Sequence, residues 1–196
     1  MRLYHVPGTR STRVLWLLEE IGAPYELTLM DREDRRRDEH LLRHPLGRVP
    51  VIEEEGGFVF ESAAICLHLA DQHREAGLIP APKSHERALV YQWTFFAMDE
   101  LEPKLVEVSS TRESDPERAA TAAERFQAAG RVIEAALAGS DYLVDGLFGV
   151  ADVVCGGVLA FAKRLELTQD LPGVEAYIAR LDARPARQRA IAMGTT

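Results

Sequence analysis

A chain of 196 residues that is 46% hydrophobic and 28% charged can bury one or two cores and lacks the composition of a disordered protein. Its formal net charge of -8 argues against nucleic acid as the main partner, because binding to a phosphate backbone needs a concentrated basic face. The two cysteines lie far apart, so we expect no disulfide framework, no metal site and a cytoplasmic location. No apolar run reaches the roughly 20 residues that span a bilayer, so we also expect no membrane span.

Extended and helical patterns alternate over the first 76 residues. Short apolar runs bounded by turn residues predict strands at 3–6, 25–30, 48–52 and 58–60. Apolar residues at helical spacing predict a helix between the first two strands, with Gly22 as its C-cap, a short helix within 31–44 and a helix that opens at Glu61-Ser62. The order β-α-β-α-β-β-α is that of an α/β thioredoxin-like domain, in which the first two strands are parallel.

Beyond residue 83 the pattern is helical throughout, after a segment at 77–83 that breaks every period and predicts a linker. Apolar stripes predict long helices over 90–108, with a kink at Pro103, over 116–137 and over 150–161, followed by shorter helices that start near Pro172 and Pro185. We therefore expect a thioredoxin-like domain over residues 1–76 and an all-α helical bundle domain over residues 83–196.

The loop between the first strand and the first helix, residues 7–13, is the first place where chemistry could occur. Backbone amides at a helix start lack partners and the helix dipole favours negative charge there. Hydroxyls of Thr9 and Ser11 could therefore help to hold an anion, while Arg10 and Arg13 raise the local potential. The alternative interpretation is that one hydroxyl is the helix N-cap and that the arginines are surface charges.

Two further features lie at the start of a strand and of a helix. Pro50 opens the third strand. In thioredoxin-like folds such a proline is cis and presents the backbone of the preceding residue to a peptide ligand. The alternative is a trans proline that merely opens the strand. Glu61 and Ser62 suit an amino-acid head group with both charges, Glu61 taking the ammonium and Ser62 the carboxylate. The alternative is that Ser62 is only an N-cap.

In this order and spacing the three features resemble the glutathione transferase superfamily. The resemblance is carried by Leu3-Tyr4, Pro7-Gly8-Thr9, Arg13-Val14-Leu15, residues 44–51 and residues 60–65, and in the second domain by Asp145-Gly146 and Val150-Ala151-Asp152. The opening with Trp16 is most similar to the bacterial and fungal branch of serine or threonine type. The first loop has no cysteine, which argues against the thiol-exchange chemistry of other branches.

The resemblance implies a glutathione site and a role for each matching residue. Thr9 would carry the activating hydroxyl in place of a serine, and Ser11 is the second candidate. Arg10 is expected to raise the local positive potential, and Arg48 to lie near the glycyl carboxylate. The backbone of Val49, beside a cis Pro50, would bind the cysteinyl part, and Glu61 with Ser62 would bind the γ-glutamyl head group. His40 could also reach the glycyl end, although a solvated loop histidine is the simpler interpretation.

One motif departs from the family pattern at the start of a helix in the second domain. Gly149 stands where a Ser or Thr usually opens a reciprocal capping box, so only the bond from the Gly149 amide to Asp152 is expected to survive. This departure concerns folding and not catalysis.

The resemblance further implies a detoxifying homodimeric transferase that joins the glutathione thiolate to electrophilic apolar small molecules, with glutathione-dependent reduction of organic peroxides as a related activity. Two alternatives have the same fold: a non-catalytic ligand-binding or docking module, and a glutathione-dependent isomerase or dehalogenase. Aromatic and sulfur side chains expected near the second substrate are Tyr91, Trp93, Phe95, Phe96 and Met98, with core burial favoured for Trp93.

Overall fold

A computed structural model describes residues 1–193, which divide into two compact units. The first unit comprises residues 1–79 together with residues 183–193, and the second comprises residues 80–182. The division after Ile79 falls inside the segment that the sequence predicts as a linker. Within residues 1–193, none of the helices combines the length and the apolar character that a membrane span requires.

The first unit is built on a four-stranded mixed sheet. Its strands are β1 (Arg2–His5), β2 (Glu26–Leu29), β3 (Val51–Glu54) and β4 (Gly57–Phe60), in the spatial order β2-β1-β3-β4. β1 runs parallel to β2 and antiparallel to β3, and β3 forms an antiparallel hairpin with β4. Leu3, Tyr4 and His5 are all buried, because β1 is an inner strand whose two faces are both covered.

Three helices complete the thioredoxin-like part of this unit: α1 (Ser11–Ile21), α2 (Asp38–Arg43) and α3 (Ser62–Gln72). α1 buries the apolar face that its sequence predicts and ends at Gly22, which has a left-handed φ of 73°. The Gly22 N–H bonds the Leu18 carbonyl at 2.9 Å, as expected for a glycine C-cap. The predicted order β-α-β-α-β-β-α is confirmed.

The second unit is helical, as predicted, and contains α4 (His85–Phe95), α5 (Glu102–Thr111), α6 (Pro116–Ala136), α7 (Val150–Arg164) and α8 (Pro172–Asp182). The single helix expected over 90–108 is instead two α-helices joined by a π-helical segment, Phe96–Leu101. Pro103 lies in the first turn of α5, where a missing N–H is tolerated. The irregularity is therefore the π-helical segment before the proline and not a kink at Pro103.

The start of α7 is held by a buried carboxylate. Asp152 Oδ2 accepts a hydrogen bond from the Gly149 N–H at 2.9 Å, so the predicted half of the capping box is present. The other oxygen, Oδ1, accepts from the Leu143 N–H at 3.0 Å and from the Tyr177 hydroxyl at 2.7 Å. Burial raises the pKa of Asp152, and these hydrogen bonds act against that shift. Asp152 thus ties a loop, α7 and α8 together.

The last helix, α9 (Pro185–Met193), belongs to the first unit and packs against α1. The Arg187 guanidinium lies 4.5 Å from the centroid of the Trp16 ring, and Arg184 forms an ion pair with Glu20 at 2.7 Å. The sequence-based domain boundaries assign this helix to the second domain, because it follows a run of helices. Its place in the packing instead depends on partners in α1 that are remote in sequence.

Candidate active site

The first loop places one hydroxyl at its surface and one in the interior. Thr9 is partly exposed, and its Oγ1 donates to the Val6 carbonyl at 2.7 Å. Ser11, the first residue of α1, is completely buried, and its Oγ lies 2.8 Å from Thr9 Oγ1. A positive φ of 70° at Gly8 turns the chain so that the loop folds back toward the end of β1.

The buried hydroxyl of Ser11 is surrounded by polar groups from the end of β1. Its Oγ lies 2.7 Å from His5 Nδ1 and accepts a hydrogen bond from the Val6 N–H at 3.2 Å. The Val6 carbonyl, 3.1 Å from Ser11 Oγ, is a further acceptor within reach. Burial lowers the pKa of His5 to about 4, so its imidazole is neutral near pH 7. The sequence patterns above do not predict a role for His5. The signal that could have identified it is a histidine in an apolar strand immediately before the loop.

The backbone at the start of α1 offers less to an anion than the sequence predicts. The N–H groups of Thr12 and Arg13 bond the carbonyls of Thr9 and Arg10 at 3.1 and 3.2 Å. The N–H of Ser11 reaches Thr9 Oγ1 at 3.4 Å. These three amides are therefore engaged within the loop, and the hydroxyl of Thr9 is the loop's most adaptable donor.

The alternative interpretation of this loop is wrong in two respects. The N-cap of α1 is Arg10, and no side chain caps this helix, so neither hydroxyl is the N-cap. Arg10 is exposed, whereas Arg13 is only 5% exposed and its Nη1 lies 3.4 Å from the hydroxyl of Ser62. Arg13 therefore links the first turn of α1 to the start of α3.

The peptide bond between Val49 and Pro50 is cis, as expected for a thioredoxin-like fold. Among the described residues, no backbone hydrogen bond involves the N–H or the carbonyl of Val49, so both groups can pair with an extended peptide. The Arg48 side chain is exposed, and its carbonyl accepts a hydrogen bond from His40 Nε2 at 2.9 Å. The interpretation of His40 as a solvated loop residue is wrong, because His40 is 1% exposed and supports this turn from α2.

Glu61 has an unusual backbone conformation, with φ of 74° and ψ of 111°. It is the N-cap of α3, which corrects the interpretation of Ser62 as the N-cap; Ser62 is the first helical residue and is 2% exposed. A positive φ is costly for a residue with a side chain and is concentrated at functional sites. The Glu61 side chain is exposed, and its charge opposes the lowering of the pKa of His44 by burial.

The residues predicted to bind glutathione therefore all lie in the first unit, on three chain segments. The segments are the loop with Thr9, the turn before β3 with Val49, and the start of α3 with Glu61. Their chemistry is a hydroxyl, a free peptide group and an exposed carboxylate, with exposed Arg10 and Arg48 nearby in sequence. Such a set suits an extended peptide that carries both charges and a soft anion such as a thiolate.

The cysteines do not extend this chemistry. Cys66 and Cys155 are both completely buried. Burial raises the pKa of the Cys66 thiol to about 12, against which the Arg13 charge acts weakly. Because both thiols are buried and out of reach of a disulfide partner, neither side chain is placed for thiol exchange.

Comparison with known proteins supports this interpretation of the fold. Residues 1–71 match the family described as Glutathione S-transferase, N-terminal domain, and residues 86–180 match the Glutathione S-transferase, C-terminal domain. Glutathione S-transferase 4 of Zea mays is 31% identical over an alignment of 191 positions, gaps included, that covers 91% of this chain and 85% of that protein. Probable glutathione S-transferase GSTF1 of Oryza sativa is 28% identical over an alignment of 206 positions that covers 95% of this chain and 92% of that protein.

Solved structures of similar proteins cover the full chain. The bacterial glutathione transferase BphK, solved as a ternary complex, has a TM-score of 0.91 at 26% identity and covers 100% of both chains. A sphingomonad glutathione S-transferase complexed with glutathione has a TM-score of 0.89 at 28% identity, and the match covers 100% of this chain and 99% of that one.

Proposed function

Since the chain belongs to the glutathione S-transferase family, we propose that it is a glutathione transferase that joins the glutathione thiolate to apolar electrophiles. The observation that carries the proposal is the partly exposed Thr9 hydroxyl at the start of α1, in the same unit as the cis Val49-Pro50 bond and the exposed Glu61. The similar sphingomonad enzyme, solved with glutathione bound, supports glutathione as the co-substrate.

We assign the contact with sulfur to Thr9 and not to Ser11. Ser11 is 0% exposed and its oxygen is surrounded by His5, Val6 and Thr9, so a thiolate could reach it only after the loop opened. Thr9 can turn its hydroxyl hydrogen from the Val6 carbonyl to an incoming anion by rotation about one bond.

The energy required for activation is within reach of one hydroxyl. A free thiol has a pKa near 8.5, and lowering it by about two units needs roughly 2.7 kcal/mol. A hydrogen bond to a charged group contributes about 1.5–3 kcal/mol, and a helix N-terminus about 0.3–1 kcal/mol. Thr9 with the dipole of α1 therefore suffices, and no general base is needed.

The reaction then proceeds by simple nucleophilic chemistry. The thiol proton of glutathione passes to solvent on binding, and Thr9 donates its hydrogen bond to the resulting thiolate. The sulfur electron pair forms a carbon–sulfur bond with the electrophile, whose leaving group departs with its bonding pair. Attack on the O–O bond of an organic hydroperoxide is the related activity to assay, because it uses the same thiolate.

The remaining site residues would hold the peptide. The free N–H and carbonyl of Val49 would pair with the cysteinyl residue beside cis Pro50, as a strand-edge backbone binds a peptide. Arg48 would attract the glycyl carboxylate and Glu61 the γ-glutamyl ammonium. Ser62 and the first amides of α3 would bind the γ-glutamyl carboxylate, and exposed Arg10 would raise the local potential.

Three broader features belong to the same proposal. We infer a homodimer in the cytoplasm, because members of the family to which the chain belongs are usually dimers of that compartment. For the apolar electrophile we propose the exposed side chains of Tyr91 and Phe95 in the helical part as contacts, whereas Trp93 is buried. We retain the division into a glutathione-binding part over residues 1–76 and a helical part over residues 83–196, of which α9 packs against α1.

The test begins with retention on immobilised glutathione, followed by turnover of a chloronitrobenzene. We expect retention and turnover for the unsubstituted protein, and for Thr9→Val nearly unchanged retention with most turnover lost. Retention without turnover in the unsubstituted protein would indicate a binding module of the same fold. If Ser11→Ala lowers turnover and Thr9→Val does not, the assignment of Thr9 is wrong.

A further inference from the structure

Three side chains at the start of α1 form a hydrogen-bonded chain that leads from the interior to the first loop. His5 Nδ1 lies 2.7 Å from Ser11 Oγ, which lies 2.8 Å from Thr9 Oγ1. His5 and Ser11 are both 0% exposed, and Thr9 is partly exposed. This hydrogen-bonded chain thus connects the hydroxyl proposed to contact sulfur with two buried groups that do not themselves contact sulfur in the proposed reaction.

The direction of these hydrogen bonds starts from the tautomer of His5. Its Nε2 atom is buried and has no hydrogen-bond partner in the described part of the chain. A neutral ring with its hydrogen on Nε2 would bury an unpaired N–H donor, which folded proteins avoid more strictly than an unpaired acceptor. The hydrogen therefore lies on Nδ1, and His5 donates to Ser11 Oγ.

The number of lone pairs and hydrogens on the two hydroxyls determines the direction of the remaining hydrogen bonds. Ser11 Oγ accepts from the His5 Nδ1–H and from the Val6 N–H at 3.2 Å, so both of its lone pairs are occupied. It cannot also accept from Thr9, so the hydrogen between the two hydroxyl oxygens, which are only 2.8 Å apart, is that of Ser11, which favours this shorter contact over the Val6 carbonyl at 3.1 Å. Thr9 Oγ1 in turn accepts from the Ser11 hydroxyl and, at 3.4 Å, from the Ser11 N–H.

The Thr9 hydroxyl can only donate a hydrogen bond to a ligand and cannot accept one. Both acceptor sites of Thr9 are engaged, and its hydrogen rests on the Val6 carbonyl at 2.7 Å. Facing a protonated thiol, Thr9 has no lone pair to offer to the S–H; facing a thiolate, it has one hydrogen to give. Accepting a hydrogen bond from Ser11 also polarises the Thr9 O–H and makes it a stronger donor.

We propose that His5 and Ser11 are positioning residues that hold the Thr9 hydroxyl as a donor only, so that the loop stabilises a thiolate and not a thiol. This inference rests on the proposed function, since it requires that Thr9 contacts sulfur. When the thiol proton leaves to solvent, the Thr9 hydrogen bond moves from the Val6 carbonyl to the sulfur, and no bond within Thr9, Ser11 or His5 is broken.

The decisive quantity is the thiol pKa of glutathione bound to the protein, which is measured by ultraviolet absorbance of the thiolate across a pH titration. A hydrogen bond to a charged group is worth roughly 10- to 150-fold in an equilibrium constant. Ser11→Ala leaves that bond intact but loses its orientation, so we expect the bound thiol pKa to rise by about 1 unit and turnover at neutral pH to fall about tenfold. Binding of glutathione at acidic pH, where the thiol is protonated, should change less than about twofold.

Substitutions at His5 provide the rescue test. His5→Leu removes the donor, and we expect it to behave as Ser11→Ala does. His5→Asn places an amide where Nδ1 was and should return the bound thiol pKa to within a few tenths of a unit of the original value. Thr12→Ala, which removes a neighbouring hydroxyl of α1 that is outside the hydrogen-bonded chain, is the matched control and should leave the pKa unchanged.

A double substitution separates positioning from direct contact. If Ser11 acts only through Thr9, then Thr9→Val with Ser11→Ala has the same bound thiol pKa as Thr9→Val alone, because there is no hydroxyl left to orient. Additive effects would overturn the inference. Should His5→Leu fail to fold, Ser11→Ala still carries the test, since it deletes a single oxygen atom.

The outcomes distinguish this inference from the proposed function. If the unsubstituted protein lowers the thiol pKa and Thr9→Val abolishes that effect, but Ser11→Ala and His5→Leu do not change it, the positioning role is overturned and the transferase proposal stands. If the unsubstituted protein binds no glutathione or leaves its thiol pKa at the value in solution, the proposed function itself fails, and the positioning role with it.

Discussion

Neutral His5 makes the stability of the first unit depend on pH in a calculable way. In the unfolded chain His5 takes up a proton below its ordinary pKa of 6.5, whereas in the folded protein burial lowers the pKa of His5 to about 4. Between these values the unfolded state binds more protons, so the free energy of unfolding decreases as the pH falls. The expected loss from this group is about 2 kcal/mol between pH 7 and pH 5, and about 3 kcal/mol by pH 4.

The measurement needs a probe of the first unit alone. The chain has two tryptophans, of which Trp16 lies in α1 and Trp93 in the helical unit. Urea unfolding of a Trp93→Phe protein, followed by fluorescence of Trp16, therefore reports on the unit that contains His5. The same series is measured for His5→Asn in that background, because the variant lacks the titrating imidazole but keeps a polar group next to Ser11.

The comparison isolates His5 from the other groups that titrate in this range. Burial also lowers the pKa of His44, which adds a loss of the same sign to both proteins and cancels in their difference. We expect the His5→Asn protein to lose about 2 kcal/mol less than its parent between pH 7 and pH 5. Parallel pH profiles for the two proteins would refute the argument that His5 is buried and neutral.

Three further predictions concern single side chains. Glu61→Gly should raise the free energy of unfolding by about 1 kcal/mol, because glycine tolerates the φ of 74°. The same substitution should weaken glutathione binding, and a lower free energy of unfolding in urea would contradict the stability prediction. Cys66 and Cys155 are fully buried, so an aromatic disulfide reagent should label them only in denaturant, and rapid labelling of the folded protein would show that the thiols are accessible. Asp152→Ala removes the acceptor of two backbone N–H groups and one hydroxyl, and circular dichroism should show a loss of about 3 kcal/mol or more; a loss below about 1 kcal/mol would mean that water replaces the carboxylate.

The sequence predicts the element order and the approximate position of the site because both depend on local patterns. Strand and helix periodicity, the C-cap at Gly22 and the bond from Gly149 to Asp152 each involve residues close together in the chain. The cis bond before Pro50 followed from the resemblance to a known family and is confirmed. The roles of the individual site residues stay predictions until the substitutions above are measured.

Local patterns were misleading wherever a partner lies elsewhere in the fold. Pro103 predicts a kink, but packing produces a π-helical segment before it, and α9 follows five helices yet packs on α1. His40 lies in a polar stretch that predicts exposure, but α2 turns it inward to the Arg48 carbonyl.

From its residues alone, this chain determines a thioredoxin-like half, a helical half and a hydroxyl-bearing loop that resembles a glutathione site. Only the tertiary structure decides which hydroxyl is available, because Thr9 and Ser11 are two positions apart in sequence and differ chiefly in burial. The tertiary structure also places His5 in contact with Ser11. Because β1 is an inner strand covered on both faces, His5 lies in the interior. There its imidazole is neutral and has a hydrogen-bond partner in the helix that follows.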